Sequence, residues 1–213
     1  MDVNTEFYTY WAVLLIAFLI SIASFRKLGL PLKFISLLLG YDVLSEMVAH
    51  LATVRYHNNM PVYHISVPVT ALFTSLYYNY SVPVFRQYHI GWLVAAGCIV
   101  ASVLNTALLQ PLNTFNSNAL LLIGCSTIGM ALFTFCKIFL AGNLGVALWK
   151  DVHFLISLVL LFNWSGTMAT WFVLTDIEEE NVPWVFLVVW LVNIFTYSGM
   201  GTIFLMQSKK YNQ

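Results

Sequence analysis

Seven apolar stretches, at about 8–25, 34–54, 61–81, 90–109, 117–141, 152–174 and 183–206, fill almost the whole chain, and only short polar breaks part them. A helix rises 1.5 Å per residue, so roughly 17–25 apolar residues cross the hydrocarbon of a bilayer. Each stretch is near that length. Inside hydrocarbon a backbone amide has no water to bond, and a helix satisfies its amides within its own segment. The pattern predicts an all-α polytopic membrane protein, a seven-helix bundle forming a single transmembrane domain over 1–213. Breaks this short require neighbouring helices to run antiparallel. Charge agrees: 8% of the residues are charged, against roughly 25% in soluble domains.

The basic residues orient the bundle. With the N-terminus outside, Arg26, Lys27, Lys33, Arg86, Lys137, Lys150, Lys209 and Lys210 fall on or near the cytoplasmic side, and Arg55 on the other. Cytoplasmic loops collect Lys and Arg, so the expected plan is N-terminus outside, C-terminus cytoplasmic. Asp2, Glu6, Asp176, Glu178, Glu179 and Glu180 then face outward. Tyr8, Tyr10, Trp11, Trp171 and Trp184 fall at outer helix ends, Trp92 and Trp149 at inner ones, as interfacial anchors do. Trp164 and Trp190 fall near mid-membrane, where packing is their expected role. The first apolar run lacks the basic leader and small-residue cleavage site of a signal peptide, so it is expected to stay as a helix. The tail after the seventh helix is Gln207–Gln213. No Lys/Arg cluster marks a nucleic-acid footprint. Cys98, Cys125 and Cys136 all sit in apolar segments without CxxC spacing, and are expected to be buried free thiols.

Polar side chains inside the spans are the candidates for function. Asp42, Glu46 and His50 follow one another at i, i+4 and i+8, which puts them on one helix face. An acid at mid-bilayer is costly and normally faces the bundle interior with a partner. The face reads either as a binding or proton-handling site, or as a protonated Glu46 that holds the helices in register. His64, Asn105, Gln110, Asn116, Asn163, Asn193 and Tyr197 fall at the centre or in the outer half of their spans. Together these ten residues outline a polar cavity open to the outside. The plainer reading is hydrogen-bonding between helices. The pairs Gly97/Ala101, Cys98/Ser102 and Ser198/Thr202 have the spacing at which helices approach closely.

Three specific chemistries can be weighed. Glu46 and His50, four residues apart, could share a metal ion with His64. Membrane hydrolases of the ceramidase-like class look similar at this point, but they need further histidines on a late helix, and the seventh helix has none. His50 with His64, and His89 with His153, would place two histidine pairs at two depths, as in di-haem cytochromes. His89 and His153, however, stand at helix ends. A rhodopsin-like pigment needs a Schiff-base lysine in the last helix, and 183–206 holds none. No cofactor is expected.

The run from Asn105 through Gln110-Pro111-Leu112-Asn113-Thr114-Phe115-Asn116-Ser117 is joined by Ser45-Glu46, Asn58-Asn59 and Tyr63-His64, and by Lys150-Asp151-Val152-His153-Phe154. In these motifs the chain resembles a group of uncharacterised bacterial seven-helix integral membrane proteins. The resemblance implies the architecture and a bacterial inner-membrane setting, and carries no activity. Without a complete catalytic set, the expected function is a receptor-like or sensory membrane protein. It would bind a small molecule in the outward polar cavity and signal through a separate membrane or cytoplasmic partner. A metal-dependent membrane enzyme, a proton-coupled carrier using Glu46, and a structural subunit of a membrane complex stay open as alternatives.

Overall fold

The structure is a computed structural model and describes residues 3–140, 148–174 and 182–210, with side chains placed over 5–140, 148–170 and 184–209. Asp2, Asp176, Glu178, Glu179 and Glu180, and the side chain of Trp171, lie outside the described residues. Among those described, all regular structure is helical: α1 Val3–Ser24, α2 Leu30–Tyr56, α3 Met60–Ser81, α4 Pro83–Gln87, α5 Ile90–Leu108, α6 Ser117–Leu140, α7 Val152–Leu174 and α8 Val182–Lys210. Single 3-10 turns stand at Phe25–Lys27 and Leu148–Lys150.

Six of these helices, all but α3 and the short α4, are long and apolar enough to cross a membrane, and the chain is a multi-pass membrane protein on that ground. α3 is 22 residues long but has no stretch as apolar as those of the six. Its place explains its composition. It packs on both α2 and α5, and it buries His64, Thr74, Ser75 and Asn79. A helix walled in by neighbours need not be apolar all round.

Prolines mark helix starts. Pro31, Pro61 and Pro83 each occupy the first turn of α2, α3 and α4, where a missing N–H costs nothing and the fixed φ suits the helix. For that reason α2 begins at Leu30, ahead of the expected 34, and the break after α3 holds α4. Pro68 is the exception, inside α3; it withholds the N–H that would bond the His64 carbonyl.

The chain divides into two compact units, Phe25–Ser126 and Met1–Ser24 with Thr127–Gln213. In the first, α3 and α5 meet most tightly at Gly91. A Cβ there would overlap the Ser75 carbonyl oxygen and the Asn79 Cβ, and the Gly91 N–H donates to Asn79 Oδ1 at 3.1 Å. Gly97, read from its spacing as a close-approach position, has nothing within 4 Å of its would-be Cβ. The spacing rule counts small residues but not which way they face. On the α2 side, the Ser45 and Ser66 hydroxyls bond each other, and Tyr41 donates to Ser66 at 3.3 Å.

In the second unit, α8 packs on α1 and on α7. Gly201 faces Ala17 of α1, while Gly166 and Gly199 face Val192 and Val159 across the α7–α8 seam. Trp190 Nε1 donates to the Glu6 carbonyl at 2.8 Å, and Trp164 is buried. Asp151 caps α7, its Oδ1 accepting from the His153 and Phe154 amides at 2.8 and 3.0 Å. Cys98 is buried, but Cys125 and Cys136 are exposed, so the expectation of three buried thiols fails for the two on α6. Apolar surroundings in sequence do not distinguish a lipid-facing thiol from a core one.

Candidate functional site

Polar side chains in the Phe25–Ser126 unit gather where α5 ends, α6 begins and α3 passes beside them. The loop between α5 and α6 builds the gathering. Pro111 cannot continue a helix, so α5 closes with the Leu109 and Gln110 amides both donating to the Asn105 carbonyl, at 2.9 and 2.7 Å. The chain then turns at Pro111, whose carbonyl accepts from the Thr114 amide and hydroxyl at 2.9 and 2.8 Å. Asn116 is the N-cap of α6, since its carbonyl takes the first helical bond, from Leu120 N at 3.1 Å.

An N-cap asparagine ordinarily gives its side-chain oxygen to the helix. Here Asn116 Oδ1 instead accepts from Asn105 Nδ2 at 2.7 Å, and Gln110 Oε1 takes over the cap, accepting from Asn118 N at 3.2 Å. Asn105 Nδ2 gives its other hydrogen to Gln110 Oε1 at 2.8 Å, Asn105 Oδ1 accepts from Asn118 Nδ2 at 3.0 Å, and Gln110 Nε2 donates to Ser117 Oγ at 2.8 Å. Asn105 has thereby given both its hydrogens, and its oxygen accepts one. Asn116 is not. It is 1% exposed, and among the described residues its Nδ2 has no hydrogen-bond partner. Flipping the amide would set nitrogen against the Asn105 nitrogen, so the network itself fixes the orientation.

His64 joins the loop to α3. Its Nε2 lies 2.9 Å from the Thr114 carbonyl and its Nδ1 2.7 Å from Thr106 Oγ1. A carbonyl can only accept, so Nε2 carries a hydrogen. The Thr106 hydroxyl also lies 3.0 Å from the Ser102 carbonyl, leaving one hydrogen for two acceptors when His64 is in that tautomer.

Beside this network a groove of about 380 Å³ runs between α5 and α6. Ala101, Leu104, Leu108, Leu109, Ala119 and Leu122 wall it, and Asn105 and Asn118 supply its polar lining. A smaller one, about 230 Å³, lies between α2 and α3 over Ser45.

Of the ten residues singled out in the sequence, His64, Asn105, Gln110 and Asn116 stand in this one cluster. Asp42, Glu46 and His50 lie along α2, half-buried, half-buried and exposed. Each takes part in a polar or electrostatic interaction within the protein, and Glu46 is within electrostatic reach of the Tyr63 phenol. The Glu46–His50–His64 metal triad does not assemble: among the described residues no three His, Cys, Asp or Glu side chains are placed to hold an ion. Both ring nitrogens of His64 are engaged elsewhere. Asn163, Asn193 and Tyr197 belong to the other unit. There Asn163 Oδ1 accepts from Thr196 at 3.2 Å and Tyr197 packs on Tyr10 at 5.8 Å between ring centres.

Sequence reading missed Thr106, Thr114 and Asn118. The clue for Asn118 was present in the run Asn113-Thr114-Phe115-Asn116-Ser117-Asn118, dense in residues whose side chains bond nearby backbone. Nothing local marks Thr106 or Thr114, because His64 reaches them across 42 and 50 residues. No family model, curated protein or solved structure matches the chain.

Proposed function

We propose that the chain is a receptor-like membrane protein that crosses the bilayer seven times, N-terminus outside and C-terminus cytoplasmic, takes up a small molecule at the outer ends of α3, α5 and α6, and signals through a separate partner. The seventh span is α3, shielded from lipid on two sides by α2 and α5. Orientation rests on the eight basic residues that this plan puts on or near the cytoplasmic side against Arg55 outside. The setting is a cell membrane; the bacterial inner membrane follows from the motif resemblance alone.

One observation carries the binding site: a buried amide donor, Asn116 Nδ2, without a partner among the described residues, one hydrogen bond from an open groove. Buried donors are nearly always satisfied, and an unsatisfied one costs about 1–3 kcal/mol. A ligand group or a water that it brings in would satisfy it. A specific observation also favours a structural subunit, since Gln110 and Asn105 serve to cap and close helices.

Native mass spectrometry of gently purified protein, beside Asn116→Leu and Glu46→Gln variants and with elemental analysis, separates the readings. The receptor reading expects a small organic adduct on the wild type that Asn116→Leu loses. A folded wild type without any adduct supports the structural subunit, and a bound metal lost from Glu46→Gln supports the enzyme.

A further inference from the structure

We infer that the α5–α6 groove takes a neutral, single-chain amphiphile with a hydroxyl or amide headgroup, entering sideways from the bilayer. The inference deepens the ligand site proposed above and rests on that reading, but not on signalling.

The first ground is where the groove opens. Leu108 and Leu109 on its rim are 74% and 70% exposed, and Leu104 and Leu122 are exposed beside them. In a spanning helix pair, surface of this kind faces acyl chains, so the path in is lateral.

The second ground is charge. From Gln87 to Cys136 the chain has no Asp, Glu, Lys or Arg, a stretch that contains α5, the loop and every residue lining the groove. An ionised headgroup would find no counter-charge there, and stripping its water without one is costly. Phosphate, carboxylate and ammonium heads are disfavoured on that account.

The third ground is the spare hydrogen-bonding capacity. Asn105 has given both its hydrogens, but Asn118 spends one hydrogen of Nδ2 on Asn105 Oδ1, and among the described residues no other group bonds its Oδ1 or its second hydrogen. An amide with one donor and one acceptor left pairs best with a group offering both, such as a hydroxyl or a primary amide. Below Asn118 and Asn105 the walls are apolar: Leu122 and Ala101 lie one turn deeper on their helices. A polar head at the mouth and a tail along the walls fits that gradient. The volume, about 380 Å³, lies near the low end of the roughly 300–1,000 Å³ typical of ligand pockets, which suits one chain rather than two.

The test uses the full chain in phosphatidylcholine nanodiscs and a monooleoylglycerol bearing a diazirine in its acyl chain. After photolysis, labelled peptides are mapped by mass spectrometry. The expected result is labelling within 101–122, competed by unlabelled monooleoylglycerol and not by lysophosphatidic acid. Asn118→Leu should lower labelling by about 5- to 30-fold, the effect of losing one or two neutral hydrogen bonds. Leu122→Trp, at an exposed position on the wall, should abolish it by filling the groove without touching a hydrogen bond. Labelling spread evenly over all helices, or equal competition by lysophosphatidic acid, would each overturn the assignment. If the native spectra show a polar adduct that Asn116→Leu loses, while the monoglyceride leaves the groove unlabelled, the receptor reading stands and the amphiphile falls. If neither binds, both fall.

Discussion

His64 ties together α3, α5 and the loop before α6 through one ring, with the Thr106 hydroxyl on one nitrogen and the Thr114 carbonyl on the other. The ring is 5% exposed, so water is a poor substitute for either partner. His64→Leu is expected to lower stability by about 1–3 kcal/mol, the range for a buried polar group left unpaired. Thermal unfolding of the variant in detergent measures this, and an unchanged midpoint would show that the loop closes without the ring. That His64 was worth attention is legible in the sequence, because a histidine inside an apolar span is rare. Its partners are not, since their separation along the chain leaves no periodic trace. Asn116 is the converse case. Its type and place before an apolar run mark an N-cap, yet its side chain serves Asn105, a choice made only when α5 and α6 close on each other.

At the scale of elements, helix length and apolar content are the legible part. The two are set by bilayer thickness and by the backbone's need for internal hydrogen bonds, both of which act on a segment by itself. Helix-to-helix packing obeys no such local rule, and the glycines show it. Gly91→Ala is expected to cost about 1–3 kcal/mol, because the new methyl meets backbone and the α3–α5 contact must shift. Gly97→Ala has nothing near its methyl and should be neutral or gain up to about 1 kcal/mol in helix propensity. Melting both variants in the same detergent tests the contrast, and equal losses would refute the α3–α5 packing described. In sequence α4 is a plain break between apolar stretches, because five residues are too few for a periodic signal, although Pro83 suits the first turn of a helix.

For the molecule as a whole, the proposed orientation makes a direct prediction. In a chain with Cys98, Cys125 and Cys136 replaced by serine, cysteine introduced at Asn113 should react with a membrane-impermeant thiol reagent added outside. Cysteine at Tyr88, in the loop between α3 and α5, should react only after the membrane is opened. Reaction of both from the outside would mean that α5 does not cross. A cysteine at Asn58 should react from the outside, like Asn113. If Asn58 and Tyr88 were labelled from one side, α3 would not be the seventh span.

From the sequence alone come the class of solvent, the helical form and the six helices long and apolar enough to span. These depend on composition within each segment, on transfer between water and lipid, and on backbone hydrogen bonds that each helix makes internally. Only the tertiary structure decided which polar side chains meet. It put His64, Asn105, Gln110 and Asn116 in one cluster, engaged both ring nitrogens of His64 away from Glu46 and His50, and left the Asn116 Nδ2 without a partner among the described residues, near an open groove. Those outcomes depend on the direction each helix face takes and on contacts across tens of residues, and a one-dimensional pattern does not carry directions.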